Sequence, residues 1–256
     1  MGFILTGDQV RRRDKKLSEF FRQIAQEEYP YDPEKMIKAL QAIVEGRFEA
    51  INSTYFPTTS QKRAREIMGR NYFGVEEAVK HFAVSPTRQQ LAVLSEIPFT
   101  EATLNECQDT HVLVAVFPLS VLEIRGRVES KLFYRHDGAW YNSQVFAMAN
   151  GEVSWHLVRK TPVQNSTSKS WSEQQALLTQ DEATPPARVM SYMIIGHYLA
   201  MGERLFRSLY VRCSDVDSNG FRVYVGYFGG SGLGVDGGWG VGRRSNLGLA
   251  SSRKSN

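Results

Sequence analysis

Apolar residues recur at helical spacing in several parts of the chain, and each such stripe predicts an amphipathic helix. Near the N-terminus the stripes cover residues 17–24, 36–44 and 61–68, and Asp32-Pro33 is a typical helix start. Shorter helices are expected at residues 75–82, 86–94 and 171–178. The longest stripe covers residues 189–201, with Thr184 as the expected N-cap and Gly202 as the expected end. We therefore expect a helical N-terminal segment and one long helix in the C-terminal half.

The centre of the chain has a different pattern, in which short apolar runs predict strands. His111 leads into a continuous apolar run that ends at Phe117, as expected for a strand buried on both faces. Five further strands are predicted at residues 121–124, 131–134, 154–159, 209–212 and 221–226. Trp140 and Trp155 are expected in the core. Together these patterns predict an α+β fold.

The stretch from residue 223 to residue 254 is rich in glycine, and its apolar residues are far apart. Eleven glycines lie between Gly220 and Gly248. Because glycine weakens helices and strands, we expect a long loop after the strand that ends near Val225. Apolar residues such as Phe228 and Leu233 would anchor this loop. The small and polar residues between the anchors would be exposed, which is where proteins often place binding function.

From Val211 to Lys254 the chain follows the pattern VRCSD-x-DS-x-G-x-RVYVGYF-x3-GL-x-V-x3-W-x3-R-x4-GLASSRK. This pattern resembles the C-terminal variable region of target proteins of diversity-generating retroelements, in particular those of small-genome bacteria and archaea. The resemblance covers residues 72–254, and its specific part is the C-terminal end. It implies a C-type lectin-like (formylglycine-generating-enzyme-like) domain at residues 72–256, with a variable region at about residues 223–254. A helical segment at residues 1–71 would precede this domain.

The resemblance also implies that mutagenic retrohoming rewrites the x positions, while the other residues of the pattern maintain the fold. The interchangeable positions would then be Gly229, Gly230, Ser231, Gly234, Asp236, Gly237, Gly238, Gly240, Val241, Gly242, Ser245, Asn246 and Leu247. Tyr227, Arg243 and Arg244 are expected to join them as exposed binding residues, because Tyr and Arg often dominate interface energies. Trp239 is expected to anchor the core. The prediction is a non-enzymatic protein that binds varied ligands, expected to be proteins or other macromolecules.

Amino-acid composition adds little about the class of protein or its cellular location. The chain has 256 residues, of which 42% are hydrophobic and 23% charged, as in folded globular proteins. No apolar run has the length of a membrane span, and no secretory signal is visible, so a cytoplasmic or virion-associated location is expected. The two cysteines, Cys107 and Cys213, are too few for a disulfide scaffold and are expected to be small buried groups.

The formal net charge is +4, and the basic excess lies at the two ends of the chain. One dense basic run consists of Arg11, Arg12, Arg13, Lys15 and Lys16. The ordinary interpretation of such a run is a solvated helix face. The alternative hypothesis is a nucleic-acid-binding protein that uses this run and the basic C-terminus, and its binding would weaken as salt rises.

Motifs for metal, nucleotide or catalytic chemistry are incomplete. Asp215 and Asp217 match the start of an EF-hand loop, but Gly226 occupies the position of the bidentate glutamate, so we expect a hairpin turn. Residues 232–237 fit the dinucleotide fingerprint, but the glycines that follow cannot form the required helix. The histidines show no metal-binding spacing, and we expect neither a metal nor a cofactor. A third hypothesis, an enzyme with a cleft near His156 and Asn165, lacks a visible acid–base pair.

Overall fold

The computed structural model describes residues 58–135 and 137–255, together with positions 7, 10, 11, 14, 15, 18, 22 and 41. The chain forms two compact units, Met1–Ile51 and Asn52–Asn256. The described positions of the first unit are all helical. Apart from these positions, the helices predicted at residues 17–24 and 36–44 lie outside the described residues, as does the helix start at Asp32-Pro33. The second unit already includes the segment before Tyr72, where the sequence pattern placed the start of the domain.

Eight α-helices occur in residues 58–135 and 137–255. They are α1 Gln61–Met68, α2 Val75–Phe82, α3 Arg88–Val93, α4 Glu101–Cys107, α5 Val121–Gly126, α6 Val145–Met148, α7 Trp171–Gln175 and α8 Ala187–Met201. Five of them begin with a side-chain cap, in which a Ser or Thr hydroxyl accepts a hydrogen bond from the N–H three residues later. The capping residues are Ser60, Thr87, Thr100, Ser120 and Ser170. Local sequence therefore determines where most of the short helices start.

The strands form two larger sheets and one two-stranded pair. They are β1 Thr59–Ser60, β2 Tyr72–Phe73, β3 Glu96–Ile97, β4 His111–Val116, β5 Ser154–Arg159, β6 Glu182–Ala183, β7 Tyr210–Val216, β8 Arg222–Gly229, β9 Gly232–Gly238, β10 Leu247–Leu249 and β11 Ser252–Arg253. One sheet has the order β2-β4-β5-β11-β6, the other has the order β10-β7-β8-β9, and β1 pairs with β3. The fold is therefore α+β. Every residue of β4 is buried, which confirms the strand predicted there.

Two of the predicted strands are wrong. Residues 121–124 belong to helix α5, because Ser120 and Glu123 form a reciprocal capping box in which each side chain accepts a hydrogen bond from the other residue's N–H. Residues 131–134 begin in a 3-10 turn, Ser130–Leu132, and Phe133 makes only an isolated bridge to Leu233. Val121 and Ile124 in the first segment and Leu132 and Phe133 in the second are buried, but the backbone that buries them is helical or irregular, and Tyr134 is exposed.

Helix α8 contacts strands of both larger sheets and forms the centre of the core. The ten buried residues of this helix lie on all its sides between Ala187 and His197, as expected of a helix enclosed by other elements. Gly202 ends α8 in the left-handed conformation with φ 72°, as the sequence predicted. His197 is buried and its Nε2 lies 3.3 Å from Glu203 Oε2, which supports a structural role.

The N-terminus of α8 differs from the prediction. Pro186, not Thr184, is the N-cap residue, and it supplies no side-chain hydrogen bond. Asp215 of β7 instead accepts a hydrogen bond from the Ala187 N–H at 2.5 Å. The cap therefore comes from a strand that lies distant in sequence, and it joins the central helix to the four-stranded sheet.

The glycine-rich stretch is a β-hairpin, so the expected long loop is wrong for residues 229–238. Strands β8 and β9 pair antiparallel across a turn at Gly230 and Ser231, with Val225 opposite Val235 and Tyr224 opposite Asp236. The inward residues Leu233 and Val235 are buried. Cross-strand pairing and burial of these alternate apolar residues therefore overcome the low strand propensity of glycine.

The last residues of the chain connect the two larger sheets. Strand β10 pairs parallel with β7 in the four-stranded sheet, and β11 lies between β5 and β6 in the five-stranded sheet. Cys107 and Cys213 are free and buried, as expected. Among the helices that the structure describes, none combines the length and apolar character needed to cross a membrane.

The long-range cap makes a prediction about stability. Replacing Asp215 with Ala removes the acceptor for the Ala187 N–H, and we expect the free energy of unfolding to fall by about 1 kcal/mol, as for a lost N-cap. Asp215→Asn retains a side-chain oxygen and should retain most of that stability. Urea denaturation followed by circular dichroism measures both variants. Equal stability of Asp215→Ala and the unchanged protein would contradict this role.

Candidate ligand-binding face

Most of the residues that the sequence singled out for binding lie on the surface around the β8–β9 hairpin and the loop at residues 239–246. We call this surface the hairpin–loop face. Nine of these residues are exposed: Tyr227, Gly230, Ser231, Asp236, Val241, Arg243, Arg244, Ser245 and Asn246. Five are partly exposed: Gly229, Gly237, Gly238, Gly240 and Gly242. Fourteen of the sixteen predicted positions are therefore exposed or partly exposed.

Two predicted binding residues are buried and do not belong to the accessible surface. Gly234 lies beneath the Tyr210 ring, so that a Cβ added there would be 2.7 Å from Tyr210 Oη. Leu247 is the first residue of β10 and is 3% exposed, and its carbonyl oxygen accepts a hydrogen bond from the Gln174 amide at 3.2 Å. The expectation that these two positions are exposed is therefore wrong, and their contact with a ligand stays a prediction.

The prediction that Trp239 anchors the core is also wrong, because this residue is exposed. Its side chain is 67% exposed, and its ring packs edge-on against Phe221 with 4.5 Å between centroids. Trp239 follows the last residue of β9, where the chain leaves the sheet. An exposed tryptophan at this point adds a large apolar group to the hairpin–loop face.

Main-chain hydrogen bonds hold the loop at residues 239–246 in place. The Gly240 carbonyl accepts from the Trp171 N–H at 2.7 Å, and the Arg244 carbonyl accepts from the Ser168 N–H at 2.9 Å. The Asn246 carbonyl accepts from the Tyr210 N–H at 2.8 Å. The loop is therefore fixed through its backbone at several points, while its side chains remain available.

A buried arginine supports the same loop from below. Arg212 of β7 is 1% exposed, and its Nη2 group donates to the carbonyls of Trp239 and Gly242 at 3.3 and 2.6 Å. Its Nη1 group donates to the Lys169 carbonyl at 3.0 Å and to Gln174 Oε1 at 2.9 Å. Burial lowers the pKa of Arg212 from its ordinary value. The planar guanidinium thus joins the loop to the segment that precedes and forms α7.

On the outer edge of β9, backbone groups of Leu233, Val235 and Gly237 already make hydrogen bonds. These groups are therefore closed to pairing with a further strand. The Leu233 carbonyl accepts from the Tyr134 N–H at 3.0 Å, and the Val235 carbonyl accepts from Trp140 Nε1 at 2.9 Å. At Gly237 the N–H donates to Asp236 Oδ1 and the carbonyl accepts from Tyr224 Oη. An exposed edge strand otherwise invites backbone pairing with another chain. Recognition at this face must therefore depend mainly on side chains.

A cavity of about 600 Å³ opens between the loop and helix α7. We call it the Trp–Arg groove, and its lining includes Trp171, Arg222, Trp239, Gly240, Val241 and Arg243. The Arg222 guanidinium stacks over the Trp171 ring with its Cζ 4.1 Å from the centroid. Arg243 is 60% exposed and pairs with Glu173 at 2.9 Å. Hydrogen bonds from Ser170 lower the pKa of Glu173, so this carboxylate remains ionised.

A smaller cavity of about 170 Å³ lies at the edge of β9 and is rich in aromatic residues. Its lining includes Tyr134, Arg135, Trp140, Tyr210, Gly234 and Asp236. The rings of Tyr210 and Tyr227 stack with 5.3 Å between centroids. Burial, and then the nearby Asp236 carboxylate, raise the pKa of Tyr210 to about 12, so this hydroxyl stays protonated at neutral pH. Trp140, expected in the core, is 39% exposed here.

Sequence reasoning missed Trp171, Arg222 and Tyr210 as residues of the face. Strand alternation could have indicated Arg222, because it precedes the buried Val223 and successive side chains of a strand point to opposite faces. No local signal indicates that Trp171 lies beside the loop, since that contact joins segments distant in sequence.

The other motifs have structural roles. Asp217 Oδ1 accepts hydrogen bonds from the Asn219 and Phe221 N–H groups, as expected for the predicted turn. Trp155 is buried and donates through Nε1 to the Leu94 carbonyl. Burial lowers the pKa of His156 to about 4. Within the part of the chain that the structure describes, no cluster of three or more His, Cys, Asp or Glu residues could hold a metal ion.

Only part of the basic N-terminal run can be located. Arg11 and Lys15 are exposed helical residues. Arg12, Arg13 and Lys16 lie outside the described residues. Comparisons with protein-family models, with curated proteins and with solved structures found no match to this chain.

The position of Arg212 makes a second prediction. Arg212→Met removes the donor to the carbonyls of residues 169 and 242 and to Gln174 Oε1, and one of the two donors to the Trp239 carbonyl, so we expect the free energy of unfolding to fall by at least about 2 kcal/mol. We also expect faster trypsin cleavage after Arg243 and Arg244, because the loop loses its buried support. Urea denaturation and limited proteolysis measure the two effects.

The matched control is Arg63→Met, which removes an exposed arginine whose ion pair with Glu101 lies at the surface. That change should alter stability by less than about 1 kcal/mol and leave loop cleavage unchanged. If both variants behaved alike, Arg212 would not be the support of the loop.

Proposed function

We propose that this protein is a non-enzymatic ligand-binding protein with a C-type lectin-like domain. In this proposal the hairpin–loop face is diversified by a retroelement and binds varied macromolecular ligands. The observation that carries the proposal is a physical division within the C-terminal pattern. Its x positions lie mostly on accessible backbone with room for other side chains, and its constant positions lie mostly in the core.

The glycines support this division most directly. Seven glycines occupy x positions, and at Gly229, Gly230, Gly237, Gly238 and Gly240 an added Cβ would lie 3.4 Å or more from any neighbouring heavy atom. At Gly242 the nearest atom, the Trp239 carbonyl oxygen, would be 3.2 Å away. Larger residues can therefore occupy six of the seven positions with little adjustment. Gly234, beneath Tyr210, is the exception.

Three of the four glycines at constant positions are crowded; the exception is Gly220, where φ is 79° and an added Cβ would meet nothing within 4 Å. At Gly226, where φ is 150°, a Cβ would lie 2.4 Å from the Leu209 carbonyl oxygen, and at Gly232, where φ is 95°, it would lie 2.7 Å from the Phe133 backbone. At Gly248 the Pro162 ring would be 2.6 Å away. Here the backbone packs against other backbone or a proline, so a side chain cannot be accommodated without displacement.

The separation between constant positions in the core and x positions at the surface has an energetic basis. The constant residues Phe228, Leu233 and Ala250 are each 1% exposed or less, and they contribute to the core. Surface substitutions away from such residues usually change stability by no more than about 0.5 kcal/mol. A face built on this support can change its side chains without loss of the fold. Support by Arg212 and by main-chain hydrogen bonds lowers the entropy that the loop loses on binding.

The glycine geometry makes a third prediction. The triple variant Gly230→Ser, Gly237→Ser, Gly238→Ser should unfold cooperatively with a free energy within about 1.5 kcal/mol of the unchanged protein. The single variants Gly226→Ala and Gly232→Ala should each lose about 2 kcal/mol or more, because the added Cβ meets backbone. Thermal and urea denaturation check both outcomes. Loss of the cooperative transition in the triple variant would overturn the proposal, since these positions would then be structural.

The genetic part of the proposal makes a fourth prediction. Sequencing the neighbourhood of the gene should find a reverse transcriptase gene and a near-copy of the segment that encodes residues 223–254. The two copies should differ mainly at adenines in the codons of the x positions. An isolated gene without either feature would remove diversification from the proposal.

A further inference from the structure

We infer that the Trp–Arg groove binds an acidic peptide segment of a protein ligand. This inference rests on the proposed function and names the chemistry of its partner. A groove of about 600 Å³ has the size of a typical ligand cavity and can take a short segment of an extended chain.

Positive charge predominates around the groove. Arg222 and Arg243 line it, Lys169 precedes the lining residue Ser170, and Arg244 follows Arg243. The acidic side chains nearby are Glu173, which pairs with Arg243, Asp236, which lies on the hairpin near Tyr224, and Asp217, which belongs to the turn that contains the lining residue Gly220. Because the cations outnumber the carboxylates, the groove attracts an acidic ligand and repels a basic one.

Arg222 is held in an orientation suited to a carboxylate. Its guanidinium stacks on Trp171, and Nη1 donates to the Ser214 carbonyl at 3.0 Å. Among the described residues, Nε and Nη2 of Arg222 have no hydrogen-bond acceptor. An arginine whose plane is already fixed loses little entropy when it forms a charge-assisted hydrogen bond.

Arg243 provides the second cationic group. It is 60% exposed and contacts Glu173 Oε1 through Nη2, while Glu173 Oε2 accepts hydrogen bonds from the Ser170 N–H and Oγ. Ser170 therefore keeps Glu173 in position, and Arg243 has further N–H groups for a second carboxylate. Two arginines on one groove favour a segment with more than one acidic residue.

Apolar contact completes the groove. Trp239 and Val241 are 67% and 78% exposed. Tryptophan and arginine are the residue types most often found to dominate binding energy, and together they suit a peptide in which acidic and apolar residues alternate. A nucleic acid would instead need a longer basic stripe that follows its phosphates.

The experiment measures binding by fluorescence anisotropy to a short labelled peptide of alternating Glu and Leu. A peptide of Gln and Leu is the uncharged comparison, and labelled oligo-dT represents nucleic acid. We expect the Glu peptide to bind at least about tenfold more tightly than the Gln peptide. The affinity should fall as salt rises, because the attraction is between exposed charges.

The double variant Arg222→Gln, Arg243→Gln and the single variant Trp239→Ala should each weaken binding of the Glu peptide about tenfold or more. Arg88→Gln, which removes an exposed arginine of α3, should leave it unchanged. Circular dichroism melts of all variants show that the fold is intact. Equal affinity for the Glu and Gln peptides, equal effects of the groove and Arg88 variants, or tighter binding of oligo-dT would overturn the inference.

A failure of the acidic-peptide inference can be distinguished from a failure of the proposed function. If the glycine triple variant retains its cooperative transition while no acidic peptide binds, only the assignment of the ligand chemistry is lost. If the triple variant unfolds, the binding face itself is not a tolerant surface.

Discussion

The hydrogen bonds of one buried guanidinium hold the loop at residues 239–246 against the rest of the domain. Arg212 lies in the four-stranded sheet and donates to four acceptors in two other segments of the chain. Burying a charged group is unfavourable unless its hydrogen bonds are made, so these acceptors and the arginine depend on one another. A flexible loop held in this way becomes part of the rigid structure. The side chains that project from it can then differ without a change in its path.

The C-terminal stretch therefore combines two properties that usually exclude one another. Its backbone is fixed by pairing with β7, by the β8–β9 hairpin and by insertion of β11 between β5 and β6. Its exposed or partly exposed positions carry glycine and serine together with larger residues such as Tyr227, Val241 and Arg244. Two tryptophans and two arginines, Trp171, Trp239, Arg222 and Arg243, line the groove. Under the proposed function, the constant residues Arg222, Trp239 and Arg243 lie beside the positions that would vary, and the proposed acidic ligand would contact these constant residues.

Local sequence predicted the elements whose burial pattern is simple. Strand β4, strand β5 and helix α8 follow from apolar runs that few other structures can bury. The segment at residues 121–124 was mispredicted because four residues with apolar ends fit a strand or a helix turn equally well, and the capping box decided for the helix. The hairpin strand at residues 232–238 was missed because its propensity is poor and its stability comes from the neighbouring strand.

By itself the sequence determined the α+β class, the long central helix and the exposure of most of the positions singled out near the C-terminus, because these depend on composition and on repeats within short segments. Tertiary structure alone decided that Asp215 caps a distant helix, that Trp171 and Trp239 border one groove, and that Gly234 and Leu247 are covered. Each of these facts depends on contacts between segments that lie far apart along the chain. No local pattern can encode such contacts, since they arise only when the two sheets and their connections pack together.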